Sequence, residues 1–227
     1  MISSVQKKDQ RGFTIVELLI ATAVLSTLLV VVSVMMANIG RLYYKGINQA
    51  KMQDNVRSVV DEISDRLQLN NTSVGTTTSL SGVIEAYCIG TSRYTFVLNQ
   101  QLKDNPGAGD YKHVLWRDTI PAGACGKANL RLDDPSATSL ADVPGQNGSE
   151  LITTRSRLNK FSINPITSPY IVTMRLVYGD DDQLDDPSIP GIDPNIGNPK
   201  CISQTGSQFC AAAALTTTVV QRTISGN

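Results

Sequence analysis

Residues 11–37 read RGFTIVELLIATAVLSTLLVVVSVMMA, and this stretch decides the fold of the first part of the chain. From Leu18 to Ala37 every residue is apolar except two serines and two threonines. A helix of about 20 residues, rising ~1.5 Å per residue, covers the ~30 Å hydrocarbon core of a bilayer. Because soluble helices are rarely apolar on every face over such a length, the run predicts a membrane-spanning helix.

The residues in front of this run are basic. Lys7, Lys8 and Arg11 stand there against one acid, Asp9. By the positive-inside rule the amino end stays in the cytoplasm, so the chain beyond the apolar run is exported. An ordinary secretory signal peptide and a plain signal anchor are the alternatives. The run is longer than the hydrophobic region of a typical signal peptide, and no A-x-A cleavage site follows it, which disfavours a removed signal peptide.

Glu17 places an ionisable carboxyl four residues into the apolar segment that opens at Phe13. Burying such a group in lipid costs several kcal/mol, so it is usually functional and needs a cationic partner. Cleavage after Gly12 would supply one, because the new amine of Phe13 would lie at the depth of Glu17 of a neighbouring subunit.

Residues 11–20, RGFTIVELLI, closely resemble the type III signal of type IV pilins and type II secretion pseudopilins. A short basic leader, a glycine at the cut, then phenylalanine first, threonine second and glutamate fifth all occur in order before the long apolar helix. The resemblance implies that a membrane aspartyl protease, the prepilin peptidase, acts at Gly12 and Phe13. It would remove the leader and methylate the new amine, and Glu17 would serve assembly.

The helix is predicted to continue beyond the membrane segment, to about Gln68. No proline occurs before Pro106, and apolar residues keep three- and four-residue spacings. They are Leu42, Tyr43, Ile47, Ala50, Val56, Val59, Val60, Ile63 and Leu67. We therefore expect a cleaved leader over 1–12, a transmembrane half over 13–39, an amphipathic half over 40–69 and an exported head over 70–227.

The head is predicted to be β-rich, which makes the fold class α+β with a mostly antiparallel sheet. Five runs read as strands: Val83–Ile89, Tyr94–Leu98, His113–Arg117, Tyr170–Tyr178 and Leu215–Thr223. The segments Asn70–Ser81, Pro121–Glu150 and Gly179–Pro199 are rich in polar residues and glycine or proline, and predict a loop and two long irregular insertions. This layout is similar to that of the larger minor pilins and J-type minor pseudopilins.

Four cysteines lie on the exported side, where an even number indicates disulfides. Three pairings are possible, and we prefer Cys201 with Cys210 and Cys88 with Cys125, since the first two are close in sequence. A zinc site is the alternative. It is disfavoured because the sequence has no C-x-x-C pair and its one histidine is remote from the last two cysteines.

The segment Gly179–Asn195 is acidic. Its first five aspartates are the candidate ligands for a calcium ion, whose preferred ligands are carboxylate and carbonyl oxygens: Asp180, Asp181, Asp182, Asp185 and Asp186. The spacing does not fit an EF-hand. A solvated acidic loop without a metal is the alternative, and it is the interpretation that we favour; no other cofactor is expected.

Other chemistry has little support in the sequence. His113 and Trp116 lie in a run with basic residues that could contact DNA, but such a run also fits an ordinary strand with Trp116 in the core. A net charge of zero gives no general nucleic-acid-binding surface. The sequence contains no H-E-x-x-H, P-loop or G-x-S-x-G motif, so we expect no enzyme.

The functional prediction is a minor pilin-like or pseudopilin-like structural subunit, at the tip of a filament or in its initiation. Its expected partners are other pilins or pseudopilins through the helix, the prepilin peptidase and the cytoplasmic (inner) membrane, and nucleic acid is not expected. An adhesin or a DNA-uptake pilin that binds its ligand through the head is the alternative.

Overall fold

The computed structural model describes residues 12–70, 73–78, 83–105, 111, 113–121, 125, 148–165, 167–180, 184, 201 and 209–222. One long helix, α1, is followed by eight strands within these residues. Their bounds are α1 Ile15–Leu69, β1 Gly75–Thr78, β2 Ile84–Ile89, β3 Ser92–Val97, β4 Leu115–Thr119, β5 Ser149–Glu150, β6 Ser156–Asn164, β7 Tyr170–Tyr178 and β8 Ala211–Val219. The predicted α+β class is confirmed.

The strands form two antiparallel sheets. The first has the order β1-β2-β3-β4-β5 and the second the order β6-β7-β8. The pairing of β7 with β8 runs without a shift from Tyr170 opposite Val219 to Tyr178 opposite Ala211. The pairing of β6 with β7 shifts at a bulge between Leu158 and Lys160. Within each sheet every strand therefore pairs with its neighbour in sequence, although residues 120–148 separate β4 from β5 and residues 179–210 separate β7 from β8.

The chain divides into two compact units, of which one ends at Tyr43 and the other begins at Tyr44. The described part of the first unit is the start of α1 with the three residues before it. All its residues are exposed except Gly40, which is intermediate. An 18-residue window of this part has a mean hydropathy of 2.6, and none of it is buried.

The second unit holds the core, to which α1 contributes one apolar stripe. The buried residues of the helix recur at the three- and four-residue steps of a single helical face. They are Met52, Val56, Val59, Val60, Ile63 and Leu67. The same core cluster contains Tyr94 and Phe96 from the first sheet and Leu158, Met174 and Leu176 from the second. Both sheets therefore pack into one core with this part of the helix.

Polar contacts also join this part of α1 to the first sheet. Glu62 Oε1 accepts hydrogen bonds from Arg117 Nη1 at 2.6 Å and from Tyr94 Oη at 3.2 Å. Arg66 Nη1 donates to Ser92 Oγ at 2.6 Å. Burial raises the pKa of Tyr94, so its hydroxyl stays a donor to Glu62 over the whole physiological range.

A buried ion pair connects β3 to β4. Arg93 and Asp118 occupy opposite positions in the register, and their side chains are 3% and 0% exposed. Arg93 Nε donates to Asp118 Oδ1 at 2.9 Å, and Arg93 Nη2 donates to Oδ2. The two parallel bonds give the geometry in which an arginine and a carboxylate compensate each other's burial.

Three strands were not predicted from the sequence. The expected loop over Asn70–Ser81 contains β1, whose four residues, one glycine and three threonines, give no apolar alternation. β5 has only two residues and lies at the end of an expected insertion. β6 was missed because the bulge after Leu158 interrupts the alternation of its inward residues. The expected insertions otherwise fall mostly outside the described residues.

Candidate functional site

The peptide bond between Gly12 and Phe13 lies just before the first turn of α1. Both residues are exposed, and the Phe13 side chain is 84% exposed. A Cβ atom placed on Gly12 would meet no atom within 4 Å in the described part of the chain. Nothing described on this side of the bond obstructs the approach of a protease.

Glu17 closes the first turn of the helix together with Thr14. Thr14 donates to Glu17 Oε2 from both its backbone N–H and its hydroxyl, each at 2.9 Å. In return the Glu17 N–H donates to Thr14 Oγ1 at 3.2 Å. This reciprocal arrangement is a capping box, which satisfies two of the helix's unpaired N–H groups and places a carboxylate at the positive end of the helix dipole.

The first unit presents its apolar side chains outward. From Ile15 to Ile39 the large apolar residues have exposed fractions between 48% and 79%. A continuous apolar surface of this extent is not stable in water and indicates contact with a membrane or with other proteins. The polar atoms at the start of α1 are therefore followed directly by a surface that needs an apolar partner.

Residues 7–33 match the family model of the prokaryotic N-terminal methylation motif. The chain carries a prepilin-type signal. The resemblance of this segment to the signal of type IV pilins and pseudopilins is thus confirmed, while the matched residues include none of the head. No significant match was found among curated proteins or solved structures.

Thr14 is the residue of the prepilin-type signal whose structural role the sequence analysis missed. The pattern T-x-x-E, here Thr14-Ile15-Val16-Glu17, is the sequence signature of a capping box and could have revealed it. The motif therefore has a local structural function, starting the helix, in addition to marking the segment.

The four cysteines form two disulfides, Cys88 with Cys125 and Cys201 with Cys210. These are the two pairs that the sequence analysis preferred. Cys88 lies on β2, and Cys210 immediately precedes β8, so each bond ties a segment outside the strands to a sheet.

Of the five candidate calcium ligands, only Asp180 belongs to the described residues. Its carboxylate accepts from Arg155 Nε at 3.3 Å, from Arg155 Nη2, and from Gln101 Nε2 at 3.0 Å. The hydrogen bond from Arg155 lowers the pKa of Asp180. An arginine in this position competes with a cation for the same oxygens. The other four candidates, Asp181, Asp182, Asp185 and Asp186, lie outside the described residues.

Aromatic and basic residues around Trp116 contact other residues of the head. His113 Nδ1 lies 3.3 Å from Glu150 Oε2, and the rings of His113 and Trp116 are 4.1 Å apart at their centroids. Trp116 is half-buried, and a Cβ on Gly148 would collide with its indole, so this position has room only for glycine. Arg117 is paired with Glu62, so His113, Trp116 and Arg117 all have contacts within the head, but Trp116 does not lie in the core.

Proposed function

We propose that this chain is a minor pilin-like or pseudopilin-like structural subunit that is anchored in the inner membrane, trimmed, and built into a filament through its first helix. The observation that carries the proposal is the methylation motif over residues 7–33, which overlaps the start of a helix whose large apolar side chains are exposed. A prepilin-type signal is found on subunits that assemble, and the apolar surface is what such an assembly would cover.

Processing would take place at the exposed bond between Gly12 and Phe13. Removal of the leader takes away three basic side chains and one acid, and leaves an amine directly before the first turn of α1. The prepilin peptidase is the partner expected for this step.

Glu17 would then pair with the Phe13 amine of a neighbouring subunit. The hydrogen bonds from Thr14 both end on Oε2, so neither of them uses Oε1 of the same carboxylate. In the apolar interior of a filament each charge is costly alone, and a pair of opposite charges removes most of that cost. The pairing would select a fixed register between adjacent helices, because only one axial offset brings the two groups together.

The proposed place in the filament is based on the size and composition of the head. Some 160 residues follow α1, with two disulfides and long segments that are rich in glycine, proline and aspartate. A repeating shaft subunit has no need for such extensions, so they support a position at the tip or in initiation. The role is mechanical and requires no catalysis.

Membrane anchoring is supported by the apolar helix, and export of the head is part of the proposal. Arg41, Lys45 and Lys51 follow the span, so basic residues occur on both of its sides. The orientation is therefore tested by protease treatment of intact spheroplasts, which should remove the head and leave the membrane segment.

The test of assembly is Glu17→Ala in cells that lack the native copy. Loss of one partner from a buried ion pair costs ~3–5 kcal/mol, so we expect normal amounts of the mutant in the membrane and a loss of most of it from sheared filaments. Thr22→Ala is the matched control, because its hydroxyl donates to Leu19 O of the same helix at 3.0 Å, and its loss should change neither amount. Normal incorporation of the Glu17→Ala protein would contradict the intersubunit pairing.

A further inference from the structure

An exposed aromatic pair lies on the second unit. The ring centroids of Tyr44 and Phe209 are 6.3 Å apart, and the two side chains are 54% and 41% exposed. We refer to Tyr44 and Phe209 as the aromatic patch. Both rings leave apolar area in solvent, and burial of that area against an apolar partner would be favourable.

Phe209 is held at this position by its neighbours in sequence. Cys210 is 1% exposed and packs with Val177 and Leu184 in a small apolar cluster of its own, where it is bonded to Cys201. Two residues further on, the Ala212 carbonyl accepts a hydrogen bond from Gln49 Nε2 on α1 at 2.8 Å. The exposure of Phe209 is therefore built into the fold.

Tyr44 marks the place where the chain enters the second unit, since it is the first residue of that unit. It follows Ile39, an exposed aliphatic residue of the apolar segment, by five positions. Five residues of helix rise about 8 Å, and the headgroup layer on one side of a bilayer is about 5–8 Å thick. The position of Tyr44 along α1 is thus that of a residue at the membrane surface.

The charges around Tyr44 agree with this position. Residues 38–53 contain Arg41, Lys45 and Lys51 and no acidic residue. Segments at a membrane interface are often rich in tyrosine and basic residues just beyond the apolar span. The rings lie at the level of the headgroups, and the cations contact lipid phosphates.

We propose that the aromatic patch inserts into the headgroup layer of the membrane while the subunit waits in the bilayer, so that the disulfide-bonded end of the head rests on lipid. Phe209 would supply the apolar contact from the head, and Tyr44 the contact from the helix. The lipid phosphates would be met by Arg41 and Lys45. This inference rests on the membrane-spanning part of the proposed function, and not on assembly.

The opposite end of the second unit offers a matched control. Ile171 is also an exposed apolar residue, at 44%, and it pairs with Thr218 near the end of β8. That end approaches the last turn of α1, where the Arg222 N–H donates to Gln68 O at 3.1 Å. Gln68 lies 19 residues after Gln49 on the same helix, a rise of about 28 Å. Ile171 is therefore at the other end of the second unit from the aromatic patch, and the inference predicts that it does not reach the membrane.

The experiment uses tryptophan as a depth probe in the full-length chain. The sequence has one tryptophan, Trp116, which is first replaced by phenylalanine. Phe209→Trp, Ile171→Trp and Leu28→Trp are then made singly in that background, and Tyr44→Trp serves as a second probe of the patch. Each protein is reconstituted in vesicles of phosphatidylethanolamine and phosphatidylglycerol, with or without phosphatidylcholine that is brominated in the upper part of the acyl chain or, for the Leu28→Trp protein, near the end of the chain.

We expect the Phe209→Trp and Tyr44→Trp proteins to emit at a shorter wavelength than the Ile171→Trp protein and to lose about half of their emission in brominated vesicles, as a residue at the headgroup boundary would. The Ile171→Trp protein should lose none. Quenching of the Leu28→Trp protein verifies the membrane span independently.

Quenching at Leu28→Trp without quenching at either patch position would overturn the inference and leave the proposed function intact. A shift to shorter wavelength without bromine quenching would also overturn it, because the patch would then be covered by another protein chain. Absence of quenching at Leu28→Trp would contradict the membrane span itself.

Discussion

The two parts of α1 belong to one helix, but their apolar residues differ in exposure. Before Tyr43 the large apolar side chains from Ile15 to Ile39 are at least 48% exposed, whereas six apolar residues of the later part are at most 3% exposed. The helical conformation is the same in both parts, so what packs against the helix, and not its backbone, distinguishes the amino acids of each part. The apolar residues of the first part suit contact with partners outside the chain, whereas those of the second part form the core of the head.

The polar side chains show the same contrast. In the first part the hydroxyls of Ser26 and Ser33 donate to carbonyls four residues earlier, at 2.6 and 2.7 Å. A helix in lipid must satisfy its polar groups in this internal way. In the second part Gln49, Asn55 and Arg66 instead donate to groups of the head that are far away in sequence. Ser64 of the second part also donates to a carbonyl four residues earlier, Val60 O, at 2.6 Å, so it is the bonds to distant groups that are particular to this part.

The largest expected effect concerns a buried charge. Asp118 is fully buried against Arg93, whereas Glu17 has hydrogen bonds from one residue of its own turn. Asp118→Ala should lower the free energy of unfolding of the head by about 4 kcal/mol, because it removes the carboxylate that compensates the charge of a buried guanidinium. Glu17→Ala should leave that free energy unchanged. Denaturant unfolding of the full chain in mild detergent, followed by Trp116 fluorescence, measures both.

The double variant with Arg93→Met and Asp118→Leu is the control for this prediction. It removes both charges at similar volume, and should recover most of the stability lost in Asp118→Ala. If the double variant were as unstable as Asp118→Ala, the two side chains would do more than compensate each other's charge.

The next prediction compares the same substitution, isoleucine to alanine, in the two parts of the helix. Ile63 is 0% exposed and Ile20 is 60% exposed. Ile63→Ala should lower the free energy of unfolding of the head by about 3 kcal/mol, through lost burial and the cavity it leaves. Ile20→Ala should not change it. The same unfolding curves test this matched pair, and equal effects at the two positions would remove the distinction between the two parts of the helix.

The smallest effect is a dependence of stability on pH. The hydrogen bond from Arg155 lowers the pKa of Asp180 in the folded head, while an unfolded aspartate titrates near pH ~3.9. The pair therefore stabilises the head above that pH, and its contribution is lost as the pH falls through the lower folded value. Both side chains are more than a third exposed, so the contribution is at most about 1 kcal/mol.

Asp180→Asn should remove this part of the acid sensitivity. The midpoint of denaturant unfolding, compared between pH 7 and acid in both proteins, should fall less steeply with acidification in the variant. An unchanged slope would mean that the ion pair does not contribute.

The helix and the signal were predictable from the sequence because each rests on local information. A long apolar run, the absence of proline and the residues from Arg11 to Glu17 required no knowledge of tertiary contacts. The strands were predictable where alternation is regular, as in Tyr170–Tyr178, whose bounds agree with β7.

The remaining elements depend on contacts that the sequence does not display. β8 begins at Ala211, four residues before the predicted start, because its alanines pair with β7 although alanine has little preference for strands. The partners of Glu17 and Asp180 were also not expected. Thr14 has a recognisable motif, but Arg155 is brought to Asp180 only by the pairing of β6 with β7.

The central claim is that the first helix begins a processed, assembling subunit, and mass spectrometry of the protein from cells with active prepilin peptidase tests it most directly. The account predicts a mature amino terminus at Phe13 carrying one methyl group, with residues 1–12 absent. In cells without the peptidase the leader should remain attached. An intact amino terminus in the presence of the active peptidase, or a cut elsewhere in the apolar segment, would contradict the account.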